Sequence, residues 1–154
     1  MSGTLVVGLG SALAGDDGVG WHVAARLADH PRLPPDTDVI QGGTDLLRLQ
    51  DRLMECQRLV VVDALLDGGP CGRVLALHDL AGLDDRAGSV HHLSPAHALQ
   101  LLRSVHPDLR NTPVTFVCVT VGNVRIQPTL SPALTERLDA VVDEVIQTVA
   151  THRG

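Results

Sequence analysis

The chain has 154 residues, of which 44% are hydrophobic, and this length and composition suit one domain with a sizeable core. Its formal net charge is −6 with no block of basic residues, so we expect neither nucleic acid nor an anionic membrane surface as a partner. All 12 basic residues are arginines, which excludes a Schiff-base lysine and the phosphate-binding lysine of a P-loop.

Strand-like and helix-like patterns alternate along the first part of the chain. A compact apolar run predicts a first strand at residues 5–7, and apolar residues at helical spacing predict a helix over Val19–Leu27. A proline-rich loop precedes a short strand predicted at residues 38–40. Apolar residues within 46–54 then indicate a second helix.

Three more strands are predicted in the second part of the chain. The continuous aliphatic run at residues 59–62 is typical of a strand that is buried on both faces of a parallel sheet. Residues 73–77 offer another strand after a glycine–proline turn. The most β-branched segment, Val114–Val121, predicts a central strand.

Two serine–proline pairs predict helix starts, because serine is a favoured N-cap and proline is favoured at the first helical position. They are Ser94-Pro95 and Ser131-Pro132, and each precedes apolar residues at helical spacing. The whole pattern predicts one α/β domain over residues 1–154, with a mostly parallel twisted sheet flanked by helices on both faces.

The cysteine pattern and the absence of long apolar runs indicate the cellular compartment in which the protein is expected. Cys56, Cys71 and Cys118 are widely spaced and form no CxxC pair, which disfavours a disulfide framework or a structural zinc site. No apolar run approaches the roughly 20 residues that cross a bilayer, and the N-terminus shows no pattern of a secretory signal. We therefore expect a cytoplasmic protein that contacts no membrane.

The stretch GLGSALAGDDGVG, residues 8–20, follows the first predicted strand. It fails as a dinucleotide fingerprint because Leu13 occupies the place of the third glycine. Two hypotheses remain for its acids. Asp16 and Asp17 are helix-capping residues in a strand-to-helix turn, or the turn presents carboxylates for chemistry.

Asp63 favours the second hypothesis, because it directly follows the predicted strand at residues 59–62. In the common strand order 2-1-3 the first and third strands are neighbours, so Asp17 and Asp63 would face one crevice at their carboxyl ends. His91 and His92 end the loop before the third helix, and two carboxylates with an imidazole suit a divalent transition metal. The residues themselves thus predict an acidic cleft with metal-binding capacity.

The stretch at residues 8–20 resembles the N-terminal motif of the NiFe-hydrogenase maturation endopeptidases, Gly-x-Gly-Asn-x-Leu-x-x-Asp-Asp/Glu-Gly-x-Gly. Further matches follow in order along nearly the whole chain, at residues 42–47 (GGTDLL), 61–64 (VVDA), 89–93 (SVHHL) and 130–132 (LSP). One position departs from the motif, since Ser11 stands in the place of the family's asparagine and offers only a short hydroxyl.

The resemblance implies a protease that removes a C-terminal extension from the hydrogenase large-subunit precursor after nickel insertion. It assigns the nickel-contacting acids to Asp17 and Asp63 and the nickel-contacting histidine to His91. It also implies that the nickel is supplied by the substrate and is not a resident cofactor. The endopeptidase would be either aspartic-type, with Asp17 and Asp63 as a catalytic acid/base pair, or assisted by the substrate's metal. We expect a monomer.

Two other hypotheses compete with a protease. A non-catalytic nickel-sensing or chaperone module would bind the same precursor through Asp17, Asp63 and His91 without cleaving it. Alternatively, the chain is an α/β binding protein whose acids only cap helices.

Overall fold

The computed structural model describes residues 3–67, 69–78, 95–122 and 126–151. Within these ranges five strands form one sheet: β1 (Thr4–Leu9), β2 (Thr37–Gly43), β3 (Arg58–Leu66), β4 (Val74–Leu77) and β5 (Val114–Val121). Their order across the sheet is β2-β1-β3-β5-β4, so the predicted order 2-1-3 is confirmed. All neighbouring strands are parallel except β4, which runs antiparallel to β5 at one edge.

Four α-helices accompany the sheet: α1 (Val19–Leu27), α2 (Gln50–Glu55), α3 (Pro95–Val105) and α4 (Pro132–Thr151). The bounds predicted for α1 are confirmed. The helix predicted within residues 46–54 is instead a 3-10 turn over Leu46–Leu49 followed by the short α2. The side chain of Asp45 starts that turn by accepting a hydrogen bond from the N–H of Leu47 at 3.0 Å.

Each face of the sheet is covered by two helices, as the sequence predicted. The side chains of α1 and α4 pack with one set of alternating strand residues, including Val60 and Val62. The other set, including Leu59 and Val61, packs with α2 and α3. The core is almost entirely aliphatic, because the chain has only one Trp, one Phe and no Tyr. Burial of these aliphatic layers is the main contribution to the stability of the fold.

No helix in the described parts of the chain combines the length and the apolar character that crossing a bilayer requires.

Strand β3 extends further than its aliphatic run, and this changes the expected position of Asp63. The prediction that Asp63 follows the strand is wrong, because β5 continues to pair with β3 as far as Leu66. Strand β1, in contrast, pairs with β3 only up to Gly8 and Val62. Asp63 is therefore the first residue of β3 beyond its pairing with β1, at the carboxyl end of the shorter strand.

Candidate functional site

Two glycines of the stretch at residues 8–20 allow the start of α1 to lie directly on the sheet. A Cβ atom on Gly8 would lie 2.0 Å from the carbonyl oxygen of Gly20, and one on Gly20 would lie 2.4 Å from the carbonyl oxygen of Val62. Any larger residue would force the backbones apart. This close approach holds the preceding 3-10 turn, Gly15–Gly18, against β3.

Asp16, in that turn, is a structural residue. Its buried carboxylate accepts hydrogen bonds from the backbone N–H and the hydroxyl of Ser131, both at 2.7 Å. The hydroxyl oxygen of Ser131 in turn accepts the N–H of Leu134 at 3.3 Å in the first turn of α4. Asp16 therefore fastens the turn to the start of α4 and stabilises that helix end.

The hypothesis that the acids cap the helix following them is wrong for α1. The N-cap residue of α1 is Gly18, and no side chain donates or accepts a capping hydrogen bond there. The prediction that Ser131 starts a helix is confirmed, but its contact with Asp16 was not predicted. The two residues lie 115 positions apart, so no local pattern connects them.

Asp17 and Asp63 are brought together at the junction of the turn and β3. Burial is the main cause that raises the pKa of Asp63 to about 7, and the negative charge of Asp17 raises it further. A hydrogen bond from the N–H of Ala64 to Asp63 Oδ1, at 2.8 Å, acts in the opposite direction. Both acids are partly exposed, so an external molecule has access to this carboxylate pair.

This carboxylate pair can exchange a proton near neutral pH. A carboxyl group with a pKa of about 7 is present in both protonation states there, which is the property that a general acid or base needs. A cation placed between the two acids would offset their mutual repulsion and favour the ionised form of Asp63. Proton transfer and contact with a metal are thus both within the chemistry of the pair.

Ser11, the departure from the family motif, has a defined role in the turn. Its hydroxyl oxygen accepts the backbone N–H of Leu13 at 3.2 Å, and its carbonyl oxygen accepts the N–H of Ala14 at 3.1 Å. A side-chain oxygen that accepts an N–H two residues ahead stabilises a tight turn, as asparagine also does. The serine therefore supplies the acceptor that this turn uses.

The histidine of the predicted metal site cannot be placed, because His91 and His92 lie outside the described residues. Within the described ranges, no group of three or more His, Cys, Asp or Glu side chains is arranged to hold a metal ion. The assignment of Asp17, Asp63 and His91 as nickel-contacting residues therefore stays a prediction.

Two other histidines have side-chain surroundings that the structure describes. Nδ1 of His78 lies 3.1 Å from the hydroxyl oxygen of Thr115. His22 of α1 has a buried Nε2 atom without a hydrogen-bond partner among the described residues, and burial lowers the pKa of its ring.

Comparison with known proteins agrees with the motif resemblance. The family model HycI, described as hydrogenase maturation protease, matches residues 21–152. A protein of Methanocaldococcus jannaschii, named as a candidate hydrogenase maturation protease, is 28% identical over 153 residues, covering 94% of this chain and 92% of that protein. The hydrogenase expression/formation protein HupD of Rhodobacter capsulatus is 35% identical over 75 residues, which are 49% of this chain and 36% of HupD.

Solved structures share the fold. The NiFe hydrogenase maturation protease HybD of Thermococcus kodakarensis has a TM-score of 0.79 at 23% identity, covering 96% of this chain and 99% of that one. The hydrogenase maturating endopeptidase HybD of E. coli has a TM-score of 0.76 at 21% identity, covering 96% of this chain and 92% of that one. The α/β architecture with its mostly parallel sheet is therefore shared with both.

Proposed function

The chain belongs to the hydrogenase maturation protease family, and we propose that it removes the C-terminal extension of a NiFe-hydrogenase large-subunit precursor after nickel has been inserted. The substrate is a folded precursor that carries its own nickel, and the reaction is hydrolysis of one peptide bond. We further propose that the protein acts as a cytoplasmic monomer.

The observation that carries this proposal is the carboxylate pair of Asp17 and Asp63. An acid whose pKa is raised to about 7 by burial and by a second acid lowers the free energy of unfolding when it is ionised. Such groups are concentrated at catalytic and binding sites, where the shifted pKa is useful. The pair also lies at the carboxyl end of β1, where β3 continues past its neighbour. Ligands of open parallel sheets usually bind beside the carboxyl ends of strands.

Hydrolysis by the pair needs one carboxylate and one carboxylic acid. In this route Asp17 accepts a proton from the water that attacks the scissile carbonyl carbon. Asp63 donates its proton to the amide nitrogen as the C–N bond breaks, so the extension leaves with a neutral amine. Two acids whose environments separate their proton affinities can divide the roles of base and acid in this way.

A second route uses the nickel of the substrate to activate the attacking water. Asp17, Asp63 and His91 would then contact the nickel and thereby test whether it has been inserted. The two routes differ in one consequence. If the nickel activates the water, replacing it in the precursor by another divalent metal changes the cleavage rate even when the protease is saturated with substrate.

The direct test is the intact mass of a co-expressed large-subunit precursor, with and without this protein, in nickel-loaded and nickel-free cells. We expect a nickel-dependent loss of one C-terminal peptide. An unchanged mass together with a stable complex would instead favour the nickel-sensing module, which binds without cleavage. If the precursor is not cleaved and forms no complex with this protein, the proposal is contradicted.

A further inference from the structure

A cavity of about 300 Å³ lies at the end of the sheet where β5 begins. Val114, the first residue of β5, lines the cavity and pairs with Leu59 of β3. Asp63 follows Leu59 by four residues in the same strand, which corresponds to roughly 13 Å along the sheet. The cavity is therefore separate from the carboxylate pair, and its volume lies at the lower end of the range for small-molecule sites.

The side chains that line this cavity include two arginines. Arg103 comes from the last turn of α3, and Arg110 comes from the 3-10 turn Pro107–Asn111 that follows this helix. The lining also includes His78 and Asn111, and no acidic residue is among its described members. In a chain whose formal net charge is −6, the cavity is a local concentration of positive charge.

Backbone carbonyl groups hold the two guanidinium groups in place. Nε of Arg103 donates to the carbonyl oxygen of Leu109 at 3.1 Å, and its Nη2 donates to that of Thr112 at 3.0 Å. Nε of Arg110 in turn donates to the carbonyl oxygen of Arg103 at 3.3 Å. A guanidinium group carries more N–H donors than these contacts use. Both cations are therefore fixed beside one cavity, with donors that can bind a further group.

In the described parts of the chain, no carboxylate balances the positive charge of these two arginines. The ion pairs found there involve other arginines. Burial lowers the pKa of Arg103 by disfavouring its charged form. Two like charges that share a cavity also repel each other. A bound anion would offset both costs, and the planar guanidinium group matches the geometry of phosphate oxygens.

We propose that this cavity binds a phosphate group through the guanidinium groups of Arg103 and Arg110. The ligand is either free phosphate or the phosphate ester of a small molecule, and the group that both share is the one that the arginines recognise. A carboxylate is a weaker ligand, because it carries a single negative charge. The site does not depend on the proposed protease function, so either can fail without the other.

The test is an NMR titration of the purified protein with inorganic phosphate at about pH 8, where phosphate is mainly a dianion. Phosphate replaces chloride at constant ionic strength, so that screening stays equal. We expect saturable shifts of the Nε–H signals of Arg103 and Arg110. Arg110→Gln is expected to bind phosphate at least about tenfold more weakly, because a hydrogen bond between charged groups is removed.

Arg73→Gln is the matched control, since it removes the same charge from an exposed arginine at the other end of β4. The contacts of Arg73 with Thr120 come from its backbone N–H and carbonyl groups, so they are retained in the variant. We expect this variant to bind phosphate with the wild-type affinity. An equal loss of affinity in Arg73→Gln and Arg110→Gln would mean that only the net charge matters, and this would overturn the inference.

Two further ligands distinguish the chemistry that the cavity recognises. Glycerol phosphate is expected to compete with inorganic phosphate, and a higher affinity for it would identify an ester as the ligand. Acetate is expected to bind more weakly than either, and an affinity equal to that of phosphate would overturn the assignment. Absence of saturable phosphate binding, or an unchanged affinity in Arg110→Gln, would overturn it as well.

Discussion

Two adjacent acids of one turn have opposite environments. Asp16 is buried, and its carboxylate accepts two hydrogen bonds of 2.7 Å from Ser131, so its burial is compensated. Asp17 contributes negative charge to a region where burial has already raised the pKa of Asp63. Satisfied acids stabilise a fold, whereas two like charges brought together destabilise it. The contrast separates an acid that builds the turn from acids that are available for chemistry.

The largest expected effect comes from replacing the carboxyl group of Asp63 by an amide, which cannot act as a general acid. We expect Asp63→Asn to slow precursor processing by about 10²–10⁴-fold, since this is the contribution that a general acid makes. The asparagine oxygen can still accept the N–H of Ala64, so the local fold is retained. The rate is measured by intact mass of the precursor over time.

Asp67→Asn is the matched control for this prediction, because Asp67 follows the same strand and its exposed side chain accepts the N–H of Gly69 at 2.9 Å. It is expected to process the precursor at the wild-type rate. Processing by Asp63→Asn at that rate would remove Asp63 from the mechanism.

A second prediction concerns the acid that builds the turn. Asp16→Ala leaves the N–H and hydroxyl of Ser131 without their acceptor, so we expect the free energy of unfolding to fall by about 2–3 kcal/mol. Ser131→Ala removes one of these hydrogen bonds and the contact with Leu134, at a cost of about 1–2 kcal/mol. Urea unfolding of both single variants and of the double variant measures the coupling.

Because the two residues share their hydrogen bonds, the double variant should lose clearly less than the sum of the single changes. Strict additivity would mean that Asp16 and Ser131 do not act as a unit. The structural role assigned to Asp16, in contrast to Asp17, would then be wrong.

The pH dependence of stability gives a third prediction. The folded pKa of Asp63, about 7, lies above the ordinary aspartate pKa of 3.8, so between these pH values the folded state binds more protons than the unfolded chain. The free energy of unfolding therefore falls as the pH rises from about 4 to about 7. Asparagine does not titrate, so Asp63→Asn should equal the wild type near pH 4 and exceed it at pH 8, by at most about 4 kcal/mol.

Urea unfolding of the two proteins across this pH range gives the difference directly, and the titration of groups that do not interact with Asp63 cancels in it. A difference that is independent of pH would show that Asp63 is not held in a costly environment.

Much of the fold could be predicted because its signals are local. The aliphatic run at residues 59–62 and the β-branched Val114–Val121 predict strands by composition alone, and Val19–Leu27 has a clear helical period. The end of β3 could not be predicted, because its last residues are strand only through pairing with β5. Non-local pairing overrides local pattern at such positions.

The candidate site was predictable in part, because its two acids follow recognisable strand patterns. The strand order placed Asp17 and Asp63 near one another, and the shifted pKa of Asp63 is consistent with that proximity. The different roles of Asp16 and Asp17 could not be predicted, since both are aspartates of one turn. The partner that distinguishes Asp16 is Ser131, which lies 115 positions away in the sequence.

The most direct test of the carboxylate pair is the pKa of Asp63, measured by ¹³C NMR titration of its side-chain carboxyl carbon in wild type and in Asp17→Asn. The account predicts a pKa of about 7 in the wild type and a lower value once the charge of Asp17 is removed, with burial keeping it above the ordinary aspartate pKa of 3.8. A wild-type pKa near 4, unchanged in Asp17→Asn, would contradict the pairing on which the proposed chemistry depends.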